Sequence, residues 1–98
     1  MEISFENIIG KTILVGITYV SNDELVLEQI QFFGTVEHAD EEDVISIMKA
    51  KGDEVFNLPP DLSSFSIAQP GEYTLKSTGE VIVNPDLLTT WTVYMAPE

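Results

Sequence analysis

The chain has no cysteine and no arginine, and only four lysines and one histidine. Without cysteine there is no disulfide, no thiolate metal site and no thiol nucleophile. Without arginine the usual bidentate clamp for carboxylate or phosphate groups is missing. Four scattered lysines cannot release the counterions that phosphate-backbone binding requires, so nucleic acid is excluded as a partner, and anionic membranes are disfavoured on the same ground. No serine sits in a glycine-flanked elbow, and no Ser-His-Asp or Cys-His spacing accompanies His38, so no catalytic residue is assigned and the chain does not read as an enzyme. "GEYTLKSTG" lies in a strand-turn-strand context, not the strand-loop-helix of a phosphate loop. The longest apolar run, "TILVGITYV", is far short of the ~20 residues of a membrane helix. The start "MEISFENIIGK" has no basic region followed by an apolar stretch, so no signal peptide is expected and the expected location is the cytoplasm.

What is present is acid and β-branched residues. Seventeen Asp and Glu give a net charge of −13 over 98 residues, of which 44% are hydrophobic. The apolar share supports a packed globule, and the length suits a single domain, 1–98. The charge favours a basic protein partner or a cation.

Runs of alternating residues separated by turn signals point to an all-β fold. Thr12–Val20 is rich in β-branched and aromatic residues, carries apolar groups on both faces and reads as a central strand. Gly16 within it marks a bend or a close crossing. A second strand, Val26–Val36, alternates Ile30, Phe32, Gly34 and Val36 against Gln29, Gln31, Phe33 and Thr35. "VISIM" and "VFNL" form a hairpin across Lys51-Gly52-Asp53. Pro59 and Pro60 end that strand, and Asp61 caps a single helical turn over Leu62–Phe65, with Leu62 and Phe65 packed inward. A third hairpin turns at Ser77-Thr78-Gly79. The last strand, Thr89–Met95, points Trp91, Val93 and Met95 inward and Thr90, Thr92 and Tyr94 outward. "EISFENIIG" fits either a strand or one helical turn, with the strand preferred. Short strands at this spacing predict a small, strongly bent antiparallel barrel of the SH3-like or Sm-like kind, the alternative being a two-sheet β-sandwich. Trp91, Phe32 and Phe56 are expected in its core.

The segments "LPPDL", "PGEY", "STGEV" and "TTWTV", within residues 58–93, resemble a group of small, acidic, uncharacterised bacterial proteins, with weaker similarity in "GTVEHADE". The resemblance implies a bacterial, cytoplasmic origin. It carries over no activity and no site residue.

"HADEED", residues 38–43, is the densest cluster of ionisable groups. In an extended strand His38, Asp40 and Glu42 would share one side, which makes them the candidate ligands for a hard cation. The spaced Asp/Asn-and-Gly pattern of a calcium loop is absent, however, and a solvated turn relieves the repulsion among the carboxylates. The reading is therefore a charged connection, with no metal and no cofactor assigned. The candidate partner-binding residues are Phe33 and Tyr94, on polar-alternating faces, with Glu41 and Asp43. Three functions follow: a non-enzymatic interaction domain for a basic protein, a small-molecule or divalent-cation-binding barrel, and a homodimer joined by edge strands.

Overall fold

The structure is a computed structural model, and it describes residues 2–50, 52, 54–76 and 78–95. The N-terminal segment forms a short helix, α1 (Phe5–Ile8), not a strand. Ser4 caps it, its hydroxyl accepting the Asn7 amide at 3.0 Å, and Ile8 is fully buried beneath it. Ser-x-x-Asn satisfies an otherwise orphaned amide, which tips a segment of this length toward a helical turn.

Eight strands follow: β1 (Thr12–Val20), β2 (Val26–Ala39), β3 (Ile45–Lys49), β4 (Val55–Leu58), β5 (Phe65–Ile67), β6 (Glu72–Thr74), β7 (Val81–Val83) and β8 (Leu87–Tyr94). Six of them form one sheet in the order β4-β3-β2-β1-β8-β5, and β6 and β7 form a separate hairpin. The all-β class is therefore observed, but neither sheet closes into a barrel. Nor is the large sheet purely antiparallel, as expected, since β8 runs parallel to β1. Parallel neighbours need a long crossover, and the whole chain between Val20 and Leu87 supplies it. Alternation within β8 is the same for either direction, so the sequence pattern does not distinguish them.

One face of the sheet holds the core. Ile13, Val15 and Ile17 of β1 meet Val36, Ile45, Ile47, Leu58, Phe65 and Leu87, with Ile8 among them. The sheet must bend to achieve this. Its five inter-strand gaps, at about 4.8 Å each, would set β4 and β5 roughly 24 Å apart if flat. The link from Leu58 to Phe65 contains the 3-10 turn Leu62–Ser64 and reaches only about 19 Å. Asp61 caps that turn as expected, accepting the Ser63 amide at 2.9 Å and its hydroxyl at 2.6 Å. These two bonds, the hydroxyl first, hold the Asp61 carboxyl below its ordinary pKa. Thr89, buried in the core, donates its hydroxyl to the Ser64 carbonyl at 3.0 Å and ties β8 to the same turn.

The three expected core aromatics lie at the core's margin. Phe32, Phe56 and Trp91 are partly buried and pack against an aliphatic centre. Phe32 and Phe56 meet at 5.1 Å between ring centroids, with the Lys49 ammonium 4.8 Å from the Phe32 centroid and 3.0 Å from Glu54.

The opposite face receives the β6–β7 hairpin. Leu75 and Ile82 are buried outside the main core, and the Lys76 amide donates to the Gln31 side chain of β2 at 2.7 Å. Gly79 takes a left-handed φ of 75° in the hairpin turn. Gly52 does the same at 93° in the β3–β4 turn; Lys51, Asp53 and Ser77, assigned to these turns from sequence, lie outside the described residues.

Asp86 fastens the start of β8 to the start of β1. Its carboxylate accepts the Thr12 amide at 2.9 Å and hydroxyl at 3.0 Å, and its own amide donates back to the Thr12 hydroxyl oxygen. The Thr12 amide bond is the main cause holding the Asp86 carboxyl below its ordinary pKa. Asp86→Ala is expected to destabilise the fold by about 1 kcal/mol. Because the folded-state pKa is depressed, that contribution is complete above the ordinary aspartate value of about 4 and is lost as pH falls through the folded value. Urea unfolding of both chains at pH 7 and pH 2.5 checks this, the gap between them being expected to narrow at the lower pH.

Candidate functional site

Three places carry unusual chemistry. The first is the β2–β3 connection. β2 runs on through His38 and Ala39, and Asp40–Asp43 then makes a turn. The Asp40 carboxylate accepts the Glu42 amide at 2.9 Å, and the Asp43 amide donates to the Asp40 carbonyl at 3.2 Å. The segment is therefore extended only to Ala39, and the strand-like alignment of His38, Asp40 and Glu42 does not form. His38 instead reaches Asp43, Nε2 to Oδ2 at 3.4 Å, while the Asp40 carboxylate serves the turn. Asp40, Glu41, Glu42 and Asp43 are all exposed. Among the described residues no three His, Cys, Asp or Glu side chains converge as a metal site would require.

The second place is a cleft of about 340 Å³ on the hairpin side of the sheet, lined by Gly16, Thr18, Gln29, Gln31, Lys76 and Thr90, among others. Its walls combine neutral hydrogen-bonding groups and one lysine with the apolar side chains of Ile17 and Ile30. Phe33 faces a smaller neighbouring cleft with Leu75 and is half-buried, not exposed as its polar-alternating face suggests. The hairpin that returns onto it comes from far along the chain, which no local pattern around Phe33 reveals.

The third place is the far end of β1, β2 and β8. There Tyr19 pairs with Glu28 on one side and Val93 on the other. β3 joins β2 only from Gly34 onward, and β5 joins β8 only over Leu87–Thr89. Three strands thus extend beyond their neighbours. Leu25, Val26, Leu27, Val93, Tyr94 and Met95 are exposed there, Tyr94 by 67%. Val93 and Met95 are 39% and 45% exposed, not buried as the inward phase expected of them implies. Trp91, nearer the core, is half-buried, and among the described residues its indole N–H has no hydrogen-bond partner. Exposure of Val93, Met95 and Leu25–Leu27 was not legible from alternation. The length of β2 relative to β3 is the one available signal.

No protein-family model matches the chain, no curated protein matches it, and no solved structure matches it. No helix among the described residues is long and apolar enough to cross a membrane.

Proposed function

We propose that this domain is a non-enzymatic interaction module that holds a basic protein partner. The observation that carries the reading is the uncompensated charge of its surface. Every described Asp and Glu except Glu80 is exposed, and the ion pairs among described residues are two, His38–Asp43 and Lys49–Glu54. Lys49 is drawn inward over Phe32 and offers little to the remaining carboxylates. Such a surface accelerates encounter with a cationic protein and makes the complex salt-sensitive. Glu41 and Asp43, on the exposed turn, are the residues proposed to meet the partner first.

The test is capture of a basic protein at low salt by the wild-type chain and by a Glu41→Lys, Asp43→Lys double variant. A basic protein held by the wild type is expected to be lost from the variant and from the wild type at 0.5 M salt. Equal recovery under all three conditions rejects the reading. The cleft favours a second reading, a small-molecule site, because its volume lies within the usual range of roughly 300–1,000 Å³ and polar groups converge on it.

A further inference from the structure

We propose that the overhanging end of the sheet, where β1, β2 and β8 run past their neighbours, docks an arginine-bearing apolar segment of a basic protein. The inference rests on the reading of a basic partner and names the surface that holds it.

This surface continues the buried side of the sheet. Side chains two apart on a strand share a face. Tyr19 and Val93 therefore follow Ile17 and Trp91, and Glu28 follows Ile30. Ile17 is buried, and Trp91 and Ile30 pack against the core. Tyr19 pairs with Glu28 on one side and Val93 on the other, so these three form the next row outward. Tyr19 still packs against the core, while Glu28 and Val93 are exposed. Of the eleven large hydrophobic side chains exposed among the described residues, six lie at 25–27 and 93–95. An apolar patch rimmed by polar groups marks an interaction site.

The backbone under the patch is well tied. The Met95 amide donates to the Val20 carbonyl at 2.8 Å, and the Ser21 amide donates to the Leu25 carbonyl at 2.9 Å. The Ser21 hydroxyl accepts the Asp23 and Leu25 amides at 3.3 and 3.2 Å. A surface already ordered loses little entropy when a partner settles on it.

The rim selects the occupant. Among the described residues the charged groups at this end are Asp23, Glu24 and Glu28, all exposed and none in an ion pair. No lysine answers them. Lys11 lies eight residues before Tyr19, roughly 26 Å along β1. Lys49 pairs with Glu54. The Lys76 amide bonds Gln31, on the opposite face from Ile30. A second copy would set these carboxylates against their own equivalents, whereas a cationic segment brings their complement.

Tyr19 and Glu28 specify the cation. Directly opposed residues of an antiparallel pair have Cβ atoms about 5 Å apart. A guanidinium paired with the Glu28 carboxylate therefore lies against the Tyr19 ring. Arginine makes both contacts with one planar group, which lysine cannot do. Apolar neighbours of that arginine then cover Val93, Leu27 and Met95.

The acidic turn is too distant to hold the same short segment. Ala39, just before it, is eleven residues from Glu28 on β2, roughly 36 Å along the strand. That is several screening lengths at physiological salt, so a short peptide reports on this end alone. Trp91, the only tryptophan, stands one row from Val93, and its emission reports occupation.

The test is calorimetry and Trp91 fluorescence with two capped peptides of equal length and charge, one alternating leucine with arginine and one alternating serine with arginine. The leucine peptide is expected to shift the Trp91 emission and to bind about ten-fold tighter than the serine peptide. Glu28→Lys should weaken it about ten-fold, and so should Leu27→Ser combined with Val93→Ser. Glu41→Lys combined with Asp43→Lys should change it by less than about three-fold. Equal affinity of the two peptides overturns this inference and leaves the wider reading standing. Weakening by the turn variant and not by the others does the same. If neither peptide binds, this inference falls, and capture of a whole basic protein at low salt decides the wider reading by itself. A wild-type dimer in light scattering that the Leu27→Ser, Val93→Ser variant dissociates gives the surface to a second copy and also overturns it. Should Glu28→Lys fail to fold, Glu28→Gln takes its place, with weaker binding again expected.

Discussion

Replacing Ile13 with alanine is expected to remove about 2–5 kcal/mol of the free energy of unfolding. Ile13 is fully buried. It lies on the central strand, paired with Gly34 of β2 on one side and Leu87 of β8 on the other. Its side chain thus sits where the antiparallel and parallel halves of the sheet meet, over Ile8 and the rest of the aliphatic core. Truncation loses the transfer free energy of the deleted carbons and leaves a cavity. Neighbours pinned by pairing on both sides cannot collapse into it. A domain of this size has a total stability of about 5–15 kcal/mol, so the variant approaches the limit of folding. The check is urea denaturation: the midpoint should fall sharply with an unchanged slope. Leu25→Ala, at a side chain 65% exposed, should shift stability by no more than about 0.5 kcal/mol. Comparable losses for the two variants would mean that the buried face is not where the structure places it.

The second large effect is expected from adding a single carbon. Gly34→Ala should destabilise by about 1–3 kcal/mol, at the upper end of what overpacking produces. A Cβ on Gly34 would overlap the Met48 carbonyl oxygen and stand 2.9 Å from the Ile47 Cγ2. The obstacle is mostly backbone, held in the β2–β3 ladder where Gly34 pairs with Lys49, and it cannot swing aside as a side-chain end would. A register shift between Val36 and His38 interrupts the same ladder nearby. Gly16→Ala is the matched control. Its Cβ would meet the Thr90 Cγ2 at 3.5 Å, an ordinary contact, and it is expected to be neutral or slightly stabilising because alanine restricts the unfolded chain more than glycine. Thermal unfolding of the two variants side by side tests the pair. Equal behaviour would remove the close approach at Gly34.

These two glycines show how far the sequence can be read. Both stand in strands of strong alternation, and Gly16, on the more apolar strand, looks the better candidate for a close crossing. Which glycine is indispensable depends on how near the third strand comes, which the alternation of the glycine's own strand does not reveal. The aromatics repeat the point. Phe32, Phe56 and Trp91 have the right inward phase, yet they cap the margin of an aliphatic core, because the sheet extends past the elements that cover it. At the acidic cluster the reverse holds. Its solvated, turn-like character follows from mutual repulsion alone, whereas the pairing of His38 with Asp43 across the turn requires knowing where β2 stops.

Although it offered a strand where α1 stands and none at β5, the sequence by itself determined the other strands, the Asp61-capped turn and the anionic exterior. Each of these is local: alternation, capping and charge density are decided within a few residues. Only the tertiary structure decided the parallel return of β8 beside β1, the covering of Phe33 by the β6–β7 hairpin, the close approach at Gly34 and the unpaired end of β8. Those depend on which distant segments lie side by side, and a strand's side chains alternate in the same way whatever runs next to it.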